Sequence, residues 1–300
     1  MAESRYKIST VGAPFDIKYS SCSNIEPKNF NWTDKKTDKI VYIDRGMFNL
    51  TKIVYIDRGM FNLTDQSIKK ENTFGWICES NHIVPDVISF LIHNHKTLFE
   101  NYYNKIFTCD KELIKLNPNF IYCPSGSNYP WISKDNWSIY SKSKICSMFC
   151  SPKLRTPEHY YRHDIAKLAM SSGIDVFGGA LGSQRTVTDP MNPWFTKLQG
   201  IKDYMFSIVM ENGVYDSYWT EKLTDCFATG TIPIYWGTSD LPKEIDETGI
   251  IRLEKGKEKD IIKALTSELY FSKYEAIKTN FNFVNNLKLA DDYLFEFIKD

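Results

Sequence analysis

The chain has 300 residues, 42% hydrophobic and 25% charged, which is globular composition and excludes disordered, collagen-like and coiled-coil classes. Lys+Arg and Asp+Glu both number 37, so the formal net charge is zero. That argues against a general polyanion binder, which needs a basic excess, and nucleic acid is not an expected partner. A small anionic ligand needs only two or three placed cations and stays open.

Seven cysteines, an odd number with no CxxC, are expected to be reduced and buried, as in a cytosolic protein. The N-terminus lacks the apolar stretch of a signal peptide, and no run approaches the ~20 apolar residues of a membrane span. A soluble, cytoplasmic protein is expected. The 18 Tyr, 19 Phe and 7 Trp can fill cores and can also stack on sugars and bases.

Residues 39–51, KIVYIDRGMFNLT, recur unchanged as residues 52–64. Two thirteen-residue copies match no solenoid unit. Each reads as a short buried strand ending in a turn-prone Asp-Arg-Gly, so one copy is expected in a sheet with the other accommodated beside it. Deleting one copy is then expected to leave a folded, more stable protein. FGWICES (74–80) reads as a strand, followed by a helix opening near Pro85 with Val87, Ile88, Leu91 and Ile92 on one face. The strand KIFTC (105–109), a short helix in KELIKL and the strand FIYCPSG (120–126) follow. This alternation predicts a parallel sheet with helices on both faces. Residues 127–143 show no period and read as an interdomain connection.

The pattern then restarts. KICSMFC (144–150) is a strand, and Thr156-Pro157 begins a helix stopped by Gly173. Strands IDVFGG (174–179) and YMFSIVMEN (204–212) follow. A helix runs from Thr220 to a Gly230 stop, with Leu223, Cys226 and Phe227 facing inward. Strands TIPIYWG (231–237) and GIIRLE (249–254) precede a helical end. Two Rossmann-like α/β domains are expected, residues 1–143 and 144–300.

In an open α/β sheet, ligands bind outside the carboxyl ends of the strands. There the strand ending in Glu211-Asn212 leads through Tyr215, Tyr218 and Trp219 to a helix beginning Thr220-Glu221-Lys222. Lys222 at a helix N-terminus is unfavourable by roughly 0.3–1 kcal/mol, so an anion should offset it. A phosphate would do so and could also take the free N–H groups of that turn. Pairing of Lys222 with Glu221 or Asp225 at the surface is the equal alternative. His159 and His163 lie at i, i+4 but lack the Glu of HExxH, and His93 and His95 point apart on a helix, so no metal is expected. Gly178 to Gly182 lack the GxGxxG register.

The block from Glu211 to TIPIYWG resembles the donor-site motif of glycosyltransferase family 10, the α-1,3/1,4-fucosyltransferases. SPKLRTPEHYYRHDIAKLAMSSGIDVFGG is similar to the preceding strand–Arg–helix–strand unit of that family, with Arg162 in the arginine's place. WICESNHIVPD and IFTCDKELIKLNPNFIYCPSG resemble its acceptor-domain stretches. The resemblance runs from about residue 74 to the end and is thin before it.

The resemblance implies a GT-B enzyme, with two Rossmann-like domains facing a cleft. It implies inverting transfer of fucose from GDP-fucose, as donor substrate, to a saccharide hydroxyl without metal or cofactor. On this reading Arg162 and Lys222 hold the diphosphate. Glu211, Asn212, Tyr218 and Thr220 complete the donor site, and Glu221 faces the ribose or fucose near the reacting centre. The base that deprotonates the acceptor comes from the N-terminal domain: Glu112 first, then Asp110, with Glu79 competing. A transferase using another nucleotide sugar and a non-catalytic saccharide-binding descendant remain alternatives.

Overall fold

A computed structural model describes residues 6–11, 25–34, 52–61, 69–183 and 197–299. The chain forms two compact units. The first comprises residues 1–128, 216–218 and 288–300, and the second residues 129–215 and 219–287.

Among its described residues the first unit holds six parallel strands in the order β2–β1–β3–β4–β5–β6. They are β1 (Tyr6–Val11), β2 (Phe30–Asp34), β3 (Ile53–Ile56), β4 (Thr73–Trp76), β5 (Lys105–Thr108) and β6 (Phe120–Tyr122). Ile53 stands opposite Thr73, Phe74 opposite Lys105, and Ile106 opposite Phe120. β3 lies in the second copy of the repeat, while the first copy falls outside the described residues.

The unbroken apolar run of β3 follows from burial on both faces, as parallel sheets require. Ile53 and Tyr55 enter one core with Val87, Leu91, Leu98 and Phe99 of helix α1 (Pro85–Asn101) and Leu113 of α2 (Lys111–Leu116). Val54 and Ile56 enter another with Trp32, Trp76 and the Leu294, Phe295 and Ile298 side chains of the C-terminal helix, residues 290–298. On α1 the expected stripe is corrected at one position. Ile92 is exposed, because the buried stripe runs through residues 87, 91 and 98 and position 92 turns away from it.

Among its described residues the second unit holds five parallel strands in the order β11–β10–β9–β7–β8. These are β7 (Lys144–Phe149), β8 (Asp175–Phe177), β9 (Tyr204–Met210), β10 (Ile232–Trp236) and β11 (Ile251–Arg252). Helix α3 (Pro157–Ser171) starts as its sequence predicts: Thr156 caps the first turn, and Pro157 opens the helix. Ile165, Ala166 and Ala169 of α3 pack with Met148, Phe206 and Ile208 on one face. On the other, Leu223, Cys226 and Phe227 of α4 (Glu221–Thr229) meet Val209, Tyr235 and Val284. α4 stops at Gly230, whose φ of 66° suits glycine. Helices α5 (Glu258–Lys263), α6 (Ser267–Ser272) and α7 (Tyr274–Asn285) complete this unit, and α8 (Ala290–Ile298) returns to the first.

Two features of the chain's organisation differ from the sequence reading. Residues 129–143 are no loose connection: they form part of the second unit, pinned by bonds from Ser138 N to Ala228 O (3.0 Å) and from Ile132 N to Asp225 (3.0 Å). Irregular contacts of this kind impose no sequence period. Residues 288–300 belong to the first unit because α8 supplies the apolar surface that covers one face of its sheet. Of the seven cysteines, the six within the described residues are buried and unbridged. Among the described residues no helix is long and apolar enough to cross a membrane.

Candidate functional site

In the second unit the direction of strand order reverses beside β7, which has β8 on one flank and β9 on the other. Loops leaving the carboxyl ends of β7 and β9 therefore diverge, and this is where open α/β sheets bind ligands. Ser151 follows β7 and Glu211 follows β9 directly.

Glu211 is fully buried and fixed by its neighbours. Thr220 N donates to its Oε1 at 2.9 Å, and Thr220 Oγ1 donates to its Oε2 at 2.8 Å. Thr220 in turn caps α4 and accepts from Lys222 Nζ at 2.9 Å. Lys222 Nζ lies 3.2 Å from Glu211 Oε2 and 3.4 Å from Glu221 Oε1. Lys197 Nζ lies 3.7 Å from Glu221 and also pairs with Asp225. The anion that Lys222 requires is thus supplied first by two carboxylates of the protein, and one of them, Glu211, is a partner the sequence reading did not foresee.

Burial pushes the Glu211 carboxyl up, against the pull of Lys222. Burial also acts to raise Glu221, but Lys222 and Lys197 together hold it below its ordinary value. For Lys222, burial favours the neutral amine, yet Glu211 and Glu221 overcome it and keep the ammonium charged.

Arg162 on α3 is 6% exposed. Its Nη2 donates to Ser151 Oγ at 3.2 Å, while its Nε is buried with no hydrogen-bond partner among the described residues. Burial lowers its proton affinity; Cys150 first, and then Glu211 and Glu221, oppose that, which places the guanidinium in the field of the same carboxylates. An unmet buried N–H costs about 1–3 kcal/mol, and more on a charged group. The arrangement is therefore incomplete without an acceptor.

His159 was weighed in the sequence only as a metal ligand. Its Nδ1 instead accepts from Arg155 N (3.0 Å) and Thr156 N (3.2 Å), closing the start of α3. Burial, together with Arg162, Lys153 and Lys222, pushes its pKa down to about 4. The imidazole is neutral, with its proton on Nε2. Asn212 is half-buried beside Glu211. Tyr218 is buried and groups with the first unit. At the carboxyl end of β10, Trp236 meets Tyr161 edge-on at 4.9 Å, with Lys255 over both rings. Neither aromatic was singled out from sequence, because nothing in the pattern separates them from core residues.

In the first unit the three candidate bases stand in different situations. Asp110 caps α2, accepting from Glu112 N (2.9 Å), Leu113 N (3.4 Å) and Asn81 Nδ2 (3.2 Å). The Glu112 side chain is 79% exposed and bonded to Lys115 at 2.6 Å. Glu79, on the loop leaving β4, is half-buried, and its carboxylate has no partner among the described residues. That loop is held by Gly126 N donating to Cys78 O (3.1 Å) and by Asp57, which accepts from Cys78 N (2.9 Å) and Glu79 N (3.3 Å). Asp57 immediately follows β3 and was read in the sequence only as part of a turn. A carboxylate at the carboxyl end of a parallel strand was the signal available.

Comparison with known proteins adds three findings. Residues 140–269 match the family model described as glycosyltransferase family 10 (fucosyltransferase), C-terminal. A solved α1,3-fucosyltransferase with GDP is similar over 97% of this chain and 94% of its own, with a TM-score of 0.53 and 14% identity. A second α1,3-fucosyltransferase structure is similar over 97% and 93%, with a TM-score of 0.51 and 15% identity. No curated protein sequence matches the chain. The structural likenesses carry the fold, two Rossmann-like units of the GT-B class.

Proposed function

We infer that this chain, a glycosyltransferase whose residues 140–269 form a family 10 C-terminal domain, transfers fucose from GDP-fucose to a saccharide hydroxyl with inversion. One observation carries the donor reading: the buried Arg162 Nε has no acceptor among the described residues, at the reversal point of a parallel sheet whose carboxyl edge also holds Lys222. A diphosphate is the ligand chemistry that such an arrangement fits, since its oxygens can accept from a guanidinium and an ammonium together.

On this reading Glu211 and Thr220 fix the position and charge of Lys222, and Lys222 and Arg162 stabilise the leaving diphosphate. Asn212 and Tyr218 complete the donor contacts, and Glu221 faces the ribose or fucose. The acceptor oxygen attacks the anomeric carbon from the face opposite GDP, the bond from that carbon to the β-phosphate oxygen breaks, and its electron pair leaves with GDP. A carboxylate takes the hydroxyl proton. With Asp110 engaged in a cap and Glu112 paired in solvent, Glu79 is the carboxylate we assign to that step. The cations come from side chains, and no metal or cofactor is invoked.

Calorimetry with GDP, UDP and CMP on the parent, Arg162→Ala and Lys222→Ala tests the donor site. Charge-assisted bonds contribute about 1.5–3 kcal/mol each, so each variant should bind GDP roughly ten- to a hundredfold more weakly. Turnover should fall further, because charge on the leaving group grows in the transition state. Preference for UDP, or unchanged GDP affinity in both folded variants, would overturn the assignment.

A further inference from the structure

In the first unit, as in the second, strand order reverses at one place: β1 has β2 on one side and β3 on the other. Asp57 leaves the carboxyl end of β3 at that reversal. It adopts φ 47°, is 4% exposed, and reaches 21 residues along the chain to bind Cys78 N at 2.9 Å through Oδ1, with Glu79 N at 3.3 Å on the same oxygen. Its other oxygen, Oδ2, is buried with no hydrogen-bond partner among the described residues.

We propose that Asp57 is the positioning residue for Glu79, holding the Cys78–Glu79 backbone with one oxygen and keeping a second, ionisable oxygen unpaired behind the base. The inference rests on the reading of Glu79 as the base.

A purely structural role fits these observations poorly. A turn aspartate satisfies N–H groups of its own turn, whereas this one spans two strand ends. An asparagine could accept the same two N–H bonds without burying a charge, so the carboxylate costs stability that its bonds do not require. Buried, strained groups of this kind cluster at functional sites. Among the described residues, the charged and titratable groups around it are Glu79, Cys78 and Arg58. Glu79 adds negative charge, and Cys78 is a buried thiol pushed well up by burial and then by Asp57 and by Asp291 of α8. Arg58 opposes them, but its guanidinium is committed to Asp86 of α1 at 2.7 and 2.8 Å. Burial, with Glu79 adding to it, pushes Asp57 up to about 7 against its N–H bonds. Ionisation of Asp57 therefore falls near neutral pH. Once ionised, it strengthens the grip on the two N–H groups that set the position of Glu79.

The test measures GDP release from GDP-fucose, with lactose as the offered hydroxyl and water as the background acceptor, from pH 5.5 to 8.5. The parent, Asp57→Asn and Glu79→Gln are compared, and GDP calorimetry reports on the second unit. Glu79→Gln should lose at least about a hundredfold in turnover with GDP affinity unchanged. Asp57→Asn should also keep GDP affinity. It should lose roughly tenfold at pH 8, from looser positioning of the base, together with the rise in activity through neutral pH. It should melt higher than the parent at pH 8, since it removes a buried charge. A parental pH profile and turnover in Asp57→Asn, with Glu79→Gln inactive, would overturn the role of Asp57 and leave Glu79 in place. Near-normal turnover in Glu79→Gln would remove Glu79 as the base and the proposal with it.

Discussion

Lys222 sits where the backbone alone would not choose a cation, and the surrounding side chains reverse that preference. Its helix start disfavours positive charge by roughly 0.3–1 kcal/mol, whereas two carboxylates within 3.4 Å, one of them fully buried, hold the ammonium in place. Lys222→Ala therefore leaves Glu211 buried without its cation, and its melting temperature is expected to fall more than that of Arg162→Ala. His159 gives a further prediction at this scale. Its pKa is about 4 in the fold against 6.5 unfolded, so between those values the unfolded chain binds more protons. The stability that neutral His159 contributes is complete above about pH 6.5 and is lost as pH falls toward 4. Melts at pH 7 and pH 5 should separate widely for the parent and less for His159→Gln, and equal separations would refute the assignment. Arg162, Glu211 and Lys222 were singled out in the sequence because motif and strand edge coincided, but the pairing of Lys222 with Glu211 was not. Asp57 and the caps at Asp110 and His159 were not, because a carboxylate or imidazole looks the same in sequence whether it caps a helix, grips a distant loop or faces solvent.

The strands from β3 onward were legible for a simpler reason: a short apolar run bounded by turn residues has few alternatives, whereas β1 (YKISTV) and β2 (FNWTD) were not read from the sequence because neither is such a run. What the runs could not reveal was their order. β2 and β3 flank β1 in one parallel sheet, so joining the end of β2 to the start of β3 requires a crossover connection, which takes about a dozen residues. The two repeat copies are identical, so deleting residues 39–51 or 52–64 yields the same shorter chain, in which only residues 35–38 and one lysine separate these strands. That is too short. The sequence expectation of a more stable deletion product is therefore reversed. The shortened protein should lose the pairing of β2 with β1 and melt below the parent, whereas a higher melting temperature in a thermal scan would show the second copy to be dispensable.

At the scale of the molecule, no apolar cluster among the described residues is shared by the two cores: α8 closes the first sheet with Leu294, Phe295 and Ile298, while α3, α4 and α7 serve the second. Leu294 is fully buried, so Leu294→Ala should cost about 2–5 kcal/mol, and that cost should fall on the first unit. Calorimetry should show two unfolding transitions with only one displaced by the substitution; a single transition moving as a whole would show that the units unfold together. The two-domain α/β plan was legible from strand–helix alternation, but the return of residues 288–300 was not, because an amphipathic helix does not state which sheet it covers.

That return fixes an order of events during synthesis. Residues 129–215 and 219–287 contain every described strand of the second sheet, whereas among the described residues it is α8, translated last, that packs on Val54, Ile56, Trp32 and Trp76 of the first sheet. At about 5–20 residues per second, the roughly 160 residues in between take on the order of ten to thirty seconds to translate. The N-terminal strands must therefore wait, apolar face open, while the later half of the chain has all its strands first. Holdase chaperones that shield such a face are expected to matter for the yield of this protein, and they should matter most to chains that stall before residue 288.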